Sequence, residues 1–393
     1  MKIYVTGLGL ISAAGEGEKE ILASFEAGKR RAGPVSLFST EIQSPAYEVK
    51  SFSRHHYSKI LRTLNLCLAA TEDALNDASL MEEIRGKRIG VAMGTSVGSV
   101  LNDIDFYREF RDKGSAPMDS VNLYLEGNLS SGIHSFLETE GPSITVVNAC
   151  ASGTNAIGVA MSWLRTGLCD IAIAGGADEL NKVPFCGFGS LGILSDSLCS
   201  PFDLNRNGLN LGEGAGVLLL ESERSMKERK KKPRAIMRGY DFSNDAHHLT
   251  SPDPSGAGLE RAITGALIDA NLEPDSISFI NAHGTATIDN DLVEARILYN
   301  LFGSTIAFLS TKGYTGHTLA AAGALEAGFC ILALEQGWIP GCAGFKKLDP
   351  DIPIAPVTQK TQIEGHFALS TSMGFGGCDA ALVIESPEQE GDI

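Results

Sequence analysis

Ile144-Thr-Val-Val-Asn-Ala-Cys150-Ala-Ser-Gly153-Thr-Asn-Ala156 passes from a β-branched apolar run through a sharp turn into the start of an Ala-rich helix. Strand, tight turn and helix in this order form the device that lifts a nucleophile above a sheet. Here the apex residue is a thiol. Ala151, Ser152, Gly153 and Ala156 beside it are small, so backbones can approach closely and a substrate has room. A helix N-terminus carries partial positive charge, which predicts a lowered thiol pKa at Cys150 and alkylation ahead of the other seven cysteines.

Working outward, short β-rich runs alternate with helical stretches, the pattern of an α/β protein. Strands are expected at Ile3–Val5, Arg88–Met93, Ile144–Val147, Ile171–Ala174, Val217–Glu221, Ile277–Asn281, Ala307–Leu309 and Ala381–Ile384. Helices are expected at Thr63–Ala78, Thr154–Thr166, Gly258–Ala270, Asp291–Phe302 and Leu319–Leu334. Two echoes suggest duplication. The runs ending Glu221-Ser222 and Glu385-Ser386 lie 164 residues apart, and Cys150 and His317, each in a turn after a strand, lie 167 apart. The halves are expected at residues 1–226 and 233–393, with the charged run Lys227–Arg234 as a solvated connector.

Composition narrows the function. The 393 residues are 43% hydrophobic and 20% charged, as in an ordinary globular protein with a large core. Net charge is −16, which excludes the broad basic surface that nucleic acid requires. Eight cysteines with no CxxC pair and no zinc spacing read as reduced thiols, not a disulfide framework or a metal site. The opening Met1–Ala14 is broken by Thr6, Gly7 and Gly9 and reads as a buried strand rather than a signal peptide. Leu319–Leu334 contains Glu326 and falls short of the ~20 residues of a membrane span. A soluble, cytoplasmic protein is the expectation.

Two histidines share the setting of Cys150. His283 follows a strand in Asn281-Ala-His283-Gly-Thr-Ala-Thr287, and His317 closes Lys312-Gly-Tyr-Thr-Gly-His317. Both sit in Gly-flanked turns at strand ends, where α/β proteins place ligand sites, and with Cys150 they make a Cys-His constellation. Glu326 interrupts an Ala-rich helix with no polar face, so it needs a buried partner, and Lys312 is the candidate. Met373-Gly-Phe375-Gly-Gly377 can offer N–H groups to an oxyanion. A dinucleotide motif at Gly7-Leu-Gly9 fails, because its third glycine position is Ser12.

Assembled, these residues resemble the β-ketoacyl-acyl-carrier-protein synthases of the elongating, thiolase-fold class, from Val5-Thr-Gly-Leu-Gly9 to Met373-Gly-Phe-Gly-Gly377. The resemblance implies a thiolase-like fold, five-layered α/β/α/β/α, built from two duplicated halves. It implies a decarboxylative Claisen condensation of an acyl thioester on Cys150 with malonyl-carrier protein, in fatty acid or related polyketide or aryl-polyene biosynthesis. His283 and His317 then hold the malonyl thioester carbonyl, and Lys312 and Glu326 order the site. The N–H groups of Cys150 and Phe375 form the oxyanion hole, with Phe375 as gate. Thr285 and Thr287 match phosphopantetheine-binding positions, and Val97 matches a position limiting the acyl pocket. No metal or cofactor is implied, since substrates ride on phosphopantetheine. The implied partners are an acyl carrier protein and a second copy, or alternatively a chain-length-factor-like subunit.

The sequence departs from the family pattern at Gly192, Asn207, Met373 and Cys378-Asp379, positions that bear on acyl substrate and carrier docking. Two rival readings are a non-condensing chain-length factor, which usually loses the Cys, and a thiolase, whose late Cys-x-Gly base is absent here. An acidic carrier needs a local basic cluster. Arg54, Lys59 and Arg62 are favoured over Lys227–Arg234.

Overall fold

The computed structural model describes residues 2–50, 52, 61–96, 98 and 104–387. Ten strands carry the architecture: β1 (Ile3–Ser12), β2 (Gly90–Gly94), β3 (Ser143–Val146), β4 (Ile171–Asp178), β5 (Gly214–Ser222), β6 (Ala235–Asn244), β7 (Phe279–Asn281), β8 (Ala307–Leu309), β9 (Phe367–Gly374) and β10 (Cys378–Glu385). The helices that matter for the site are α1 (Arg62–Asp77), α2 (Leu129–Leu137), α3 (Ser152–Arg165), α4 (Ala257–Ala270), α5 (Ile288–Phe302) and α6 (Ala322–Gln336).

The strands lie in the order β3-β2-β4-β5-β1-β6-β10-β9-β7-β8. Each strand of the first half has a counterpart five strands later, and the pairing repeats as well. β1–β5 and β5–β4 are antiparallel while β4–β2 and β2–β3 are parallel, and β6–β10, β10–β9, β9–β7 and β7–β8 follow the same scheme. The halves join edge to edge where Ile3 and Val5 pair with Met237 and Ala235. Duplication is thus written in the topology as well as in the two sequence offsets.

Five layers result. α1 covers the outer face of the first half-sheet and α4 that of the second, while α3 and α6 lie between the two. Strand alternation explains the sorting. Ile171, Ile173, Val217 and Leu219 face α1, whereas Ala172, Ala174, Leu218 and Leu220 face inward. The inner layer is tight. A Cβ on Gly153 would stand 2.4 Å from the Ala320 carbonyl oxygen, so the halves meet backbone to backbone beside Cys150.

Leu319–Gln336 is 18 residues long and apolar enough to span a membrane by composition, yet 83% of it is buried as the central helix and the short helical turn before it. Its Leu325, Phe329, Ile331 and Leu332 are within 4% of full burial, each contributing ~1.5–3 kcal/mol.

Two strands escaped the sequence reading. In β9 the buried residues Ser370, Thr371 and Ser372 break any apolar run. β6 carries Arg238 and Asp241, and its second half is half-buried, with only Phe242 and Asn244 exposed. The Lys227–Arg234 run is also no free connector. Arg229 bonds to Glu221, Lys231 donates to the Asp77 carbonyl, and Arg234 bonds to Glu18, Asp77 and Glu335.

Candidate active site

Cys150 sits where β3 turns into α3. Ala149 takes the left-handed conformation at φ 48°, a costly geometry for a residue with a Cβ. Ser152 holds the turn by accepting from the Asn148 N–H at 2.7 Å and donating to the Ala149 carbonyl at 2.6 Å. In the second half the equivalent turn between β8 and α6 carries His317. Its backbone is pinned to the first half: the His317 N–H donates to the Asn210 carbonyl at 2.8 Å, and the Gly212 N–H donates to the His317 carbonyl at 3.0 Å. Asp178 at the end of β4 adds a tie, accepting from the Ala320 N–H at 2.8 Å and from the Thr95 hydroxyl at 2.7 Å.

This packing puts Cys150 Sγ 2.9 Å from His317 Nε2. The His283 and His317 rings stand edge to face, with centroids 5.3 Å apart. Lys312 Nζ donates to His283 Nδ1 at 3.2 Å and pairs with Glu326 Oε1 at 2.5 Å. Cys150, His283, His317, Lys312 and Glu326, chosen from sequence, therefore form one buried cluster.

Electrostatics corrects one expectation. Burial pushes the Cys150 thiol up to about 12, against the opposing pull of Lys312 and the Phe375 N–H. The helix N-terminus does not win, because desolvation of a thiolate outweighs a fractional dipole charge. Burial, reinforced by the Lys312 charge, holds both His283 and His317 well below the usual imidazole range. The pair is thus thiol and neutral imidazole, joined by a hydrogen bond whose direction the His317 tautomer sets. Since Lys312 donates to His283 Nδ1, His283 carries its proton on Nε2. Burial raises Glu326 to about 7, with Lys312 pulling the other way.

The cluster opens to a cleft of about 340 Å³ lined by Cys150, both histidines, Thr285, Thr287 and Phe375. The Thr285 and Thr287 hydroxyls are 2.9 Å apart. Phe375 stacks on Phe188 with ring centroids 5.4 Å apart, and Gly374 lies over the Cys150 N–H. Val97 lies outside the described residues.

The model for the beta-ketoacyl synthase N-terminal domain matches residues 2–225, and that for the C-terminal domain matches residues 234–346. The chain belongs to the beta-ketoacyl synthase family. It is 34% identical to 3-oxoacyl-[acyl-carrier-protein] synthase 2 of Synechocystis sp., over 98% of each chain. Among solved structures, the ishigamide ketosynthase/chain length factor superposes with TM-score 0.93 at 32% identity, covering 98% of this chain and 99% of that one. A type II PKS ketosynthase, solved with its acyl-carrier protein and bound to the hexaketide, gives TM-score 0.89 at 26% identity, with 98% and 99% covered. This β-ketoacyl synthase is an acyltransferase of the fatty acid and polyketide condensing class.

Glu294 was missed from sequence. Its carboxylate accepts from the His283 and Gly284 N–H groups at 2.7 and 2.8 Å and from the Thr371 hydroxyl at 2.7 Å, so it holds the His283 turn. The available signal was a carboxylate on the apolar face of α5, one turn before Leu298. The docking reading changes too. Arg62 is spent inside the protein on Glu213, at 2.6 and 2.8 Å, and on the Val49 carbonyl. Arg54 and Lys59 lie outside the described residues.

Proposed function

We propose that Cys150 accepts an acyl group from an acyl carrier protein and that His283 and His317 decarboxylate the malonyl unit that extends it. One observation carries this reading: a nucleophile from one half and two histidines from the other converge at the floor of a single cleft.

In the first half-reaction His317 Nε2 takes the thiol proton as Sγ attacks the thioester carbon. The oxyanion meets the N–H groups of Cys150 and Phe375, and the departing carrier thiol takes the proton back. In the second, the malonyl thioester oxygen accepts a hydrogen bond from His283 Nε2–H, a donor because Lys312 occupies Nδ1. His317 supplies the other bond in the tautomer with its proton on Nε2, which is open to it once Cys150 has no proton to give. Carbon dioxide leaves, and the enolate carbon attacks the acyl thioester on Cys150. The thiolate leaves and takes a proton from solvent, replacing the one lost with the carrier thiol. Thr285 and Thr287 guide the phosphopantetheine arm, and the chemistry asks for no metal or further cofactor.

An acyl carrier protein is the partner this chemistry calls for, and the relatives' structures support that choice. A second copy or a chain-length-factor-like subunit fits β3, an edge strand in which Ile144 is 41% exposed and which Val147, 68% exposed, directly follows, the kind of edge that association covers. A cytoplasmic location suits the free thiols. A panel of acyl-carrier thioesters mixed with malonyl-carrier thioester, products read by mass, tests the reading. A β-ketoacyl product two carbons longer supports it, and no product with any primer contradicts it.

A further inference from the structure

The turn Met373–Gly377, which carries Phe375, is strapped by the segment 244–253. The Asp245 N–H donates to the Gly377 carbonyl at 2.8 Å, the Gly376 N–H to the Leu249 carbonyl at 2.8 Å, and Asn244 Nδ2 to the Gly376 carbonyl at 2.9 Å. Beneath this strap lie two carboxyl groups. Asp245 Oδ2 accepts from the Asp253 N–H at 2.9 Å. Asp245 Oδ1 and Asp379 Oδ2 are buried with no donor among the described residues. They face each other over Gly258 of α4. A Cβ there would stand 2.1 Å from one and 2.4 Å from the other, so the two oxygens are within 4.5 Å.

Two carboxylates whose facing oxygens are both shielded from water resist being charged together at that separation. One proton between them removes the repulsion and satisfies both orphaned oxygens at once. We propose that Asp245 and Asp379 share a proton, and that this proton clamps the strap onto the Phe375 turn, making Asp379 a positioning residue for the gate. The clamp matters for catalysis only through the condensing role proposed above.

The surroundings agree. Burial first, then the Asp245 charge, raise Asp379 to about 8, with Glu294 of α5 adding to the rise and Arg261 of α4 opposing it. On the strap itself Asp253 is a half-buried carboxylate held low by hydrogen bonds from Ser255, with smaller pulls from His247 and Arg261. Cys378 lies alongside, its thiol pushed up by burial and by both aspartates. Among the described residues no cation forms an ion pair with either aspartate.

The sign follows. A carboxyl whose folded pKa lies near 8 and whose unfolded value is ~3.9 makes stability fall as pH rises between those values. Above about 8 the pair carries two charges and the strap loosens.

The test compares wild type with Asp379→Asn and Asp245→Asn, each of which replaces the shared proton by a non-titrating amide donor. Thermal unfolding midpoints are read from pH 5 to 9, and kcat/KM for condensation over the same range. Wild type should lose midpoint with rising pH relative to both variants. Its kcat/KM should fall about tenfold per pH unit above 8 relative to Asp379→Asn. Parallel midpoint curves for wild type and either folded variant overturn the proposal, whatever the activity. Absence of condensation in all three proteins would instead indict the functional reading, and the midpoints would still decide the clamp.

Discussion

Lys312 Nζ stands 3.2 Å from His283 Nδ1 and 2.5 Å from Glu326 Oε1, so one buried cation sets a histidine tautomer and neutralises a core carboxylate. Removing it should do both kinds of damage. Lys312→Ala leaves Glu326 buried without its partner, at a cost of ~3–5 kcal/mol. It also frees His283 to shift its proton away from the substrate. Denaturant unfolding and malonyl decarboxylation should fall together; a stable variant with full decarboxylation would contradict the arrangement.

The neutral histidines give a pH prediction. Both imidazoles are held well below 6.5, so they keep their donor and acceptor roles on acidification. Malonyl decarboxylation should stay level from pH 8 down to about 6. The same shift means that unfolded histidines bind protons the folded ones refuse, so stability falls as pH drops through about 6.5. A decarboxylation inflection near 6.5 would show that one imidazole titrates normally.

Cys150 should alkylate slowly for a nucleophile. With its thiol pushed to about 12 by burial, little thiolate exists at pH 7 to 8 until a substrate lets His317 take the proton. Iodoacetamide should modify exposed Cys186 before Cys150, as read by peptide mass. The reverse order would restore the helix N-terminus as the dominant influence.

Charge reversal at Arg62 separates docking from folding. Its guanidinium serves Glu213, which is fully buried. Arg62→Glu should therefore cost ~3–5 kcal/mol and depress reaction with carrier-bound and small pantetheine thioesters alike. A rise in KM confined to carrier-bound substrate would return Arg62 to the docking surface.

Much of this was legible in one dimension, for reasons that differ by residue. Cys150 follows the β-branched run Ile144–Val147 and His283 follows the strand Phe279–Asn281, each just before small residues, while His317 is marked by the Gly-flanked turn it closes. Glu326 was visible because a charge in an otherwise apolar helix demands a partner. The rest depends on packing between distant segments. β9 hides because its Thr371 and Ser372 hydroxyls are satisfied by Glu294 and Thr154 across the core. Glu294 was passed over because its partners are main-chain N–H groups, which carry no sequence signature. The thiol's raised pKa is a property of burial by the opposite half. Arg62 read as surface because Glu213 lies 151 residues away.

The division of labour between nucleophile and histidines is the central claim, and variants test it with one paired readout. Each protein is mixed with acyl-carrier and malonyl-carrier thioesters, and mass spectrometry follows acyl-enzyme, acetyl-carrier and β-ketoacyl product together. Cys150→Ala should form no acyl-enzyme and no condensed product while still releasing carbon dioxide to give acetyl-carrier. His283→Ala should form the acyl-enzyme yet lose decarboxylation by ~10²–10³, the usual cost of one oxyanion donor. Condensed product from Cys150→Ala, or undiminished acetyl-carrier from His283→Ala, would contradict the account.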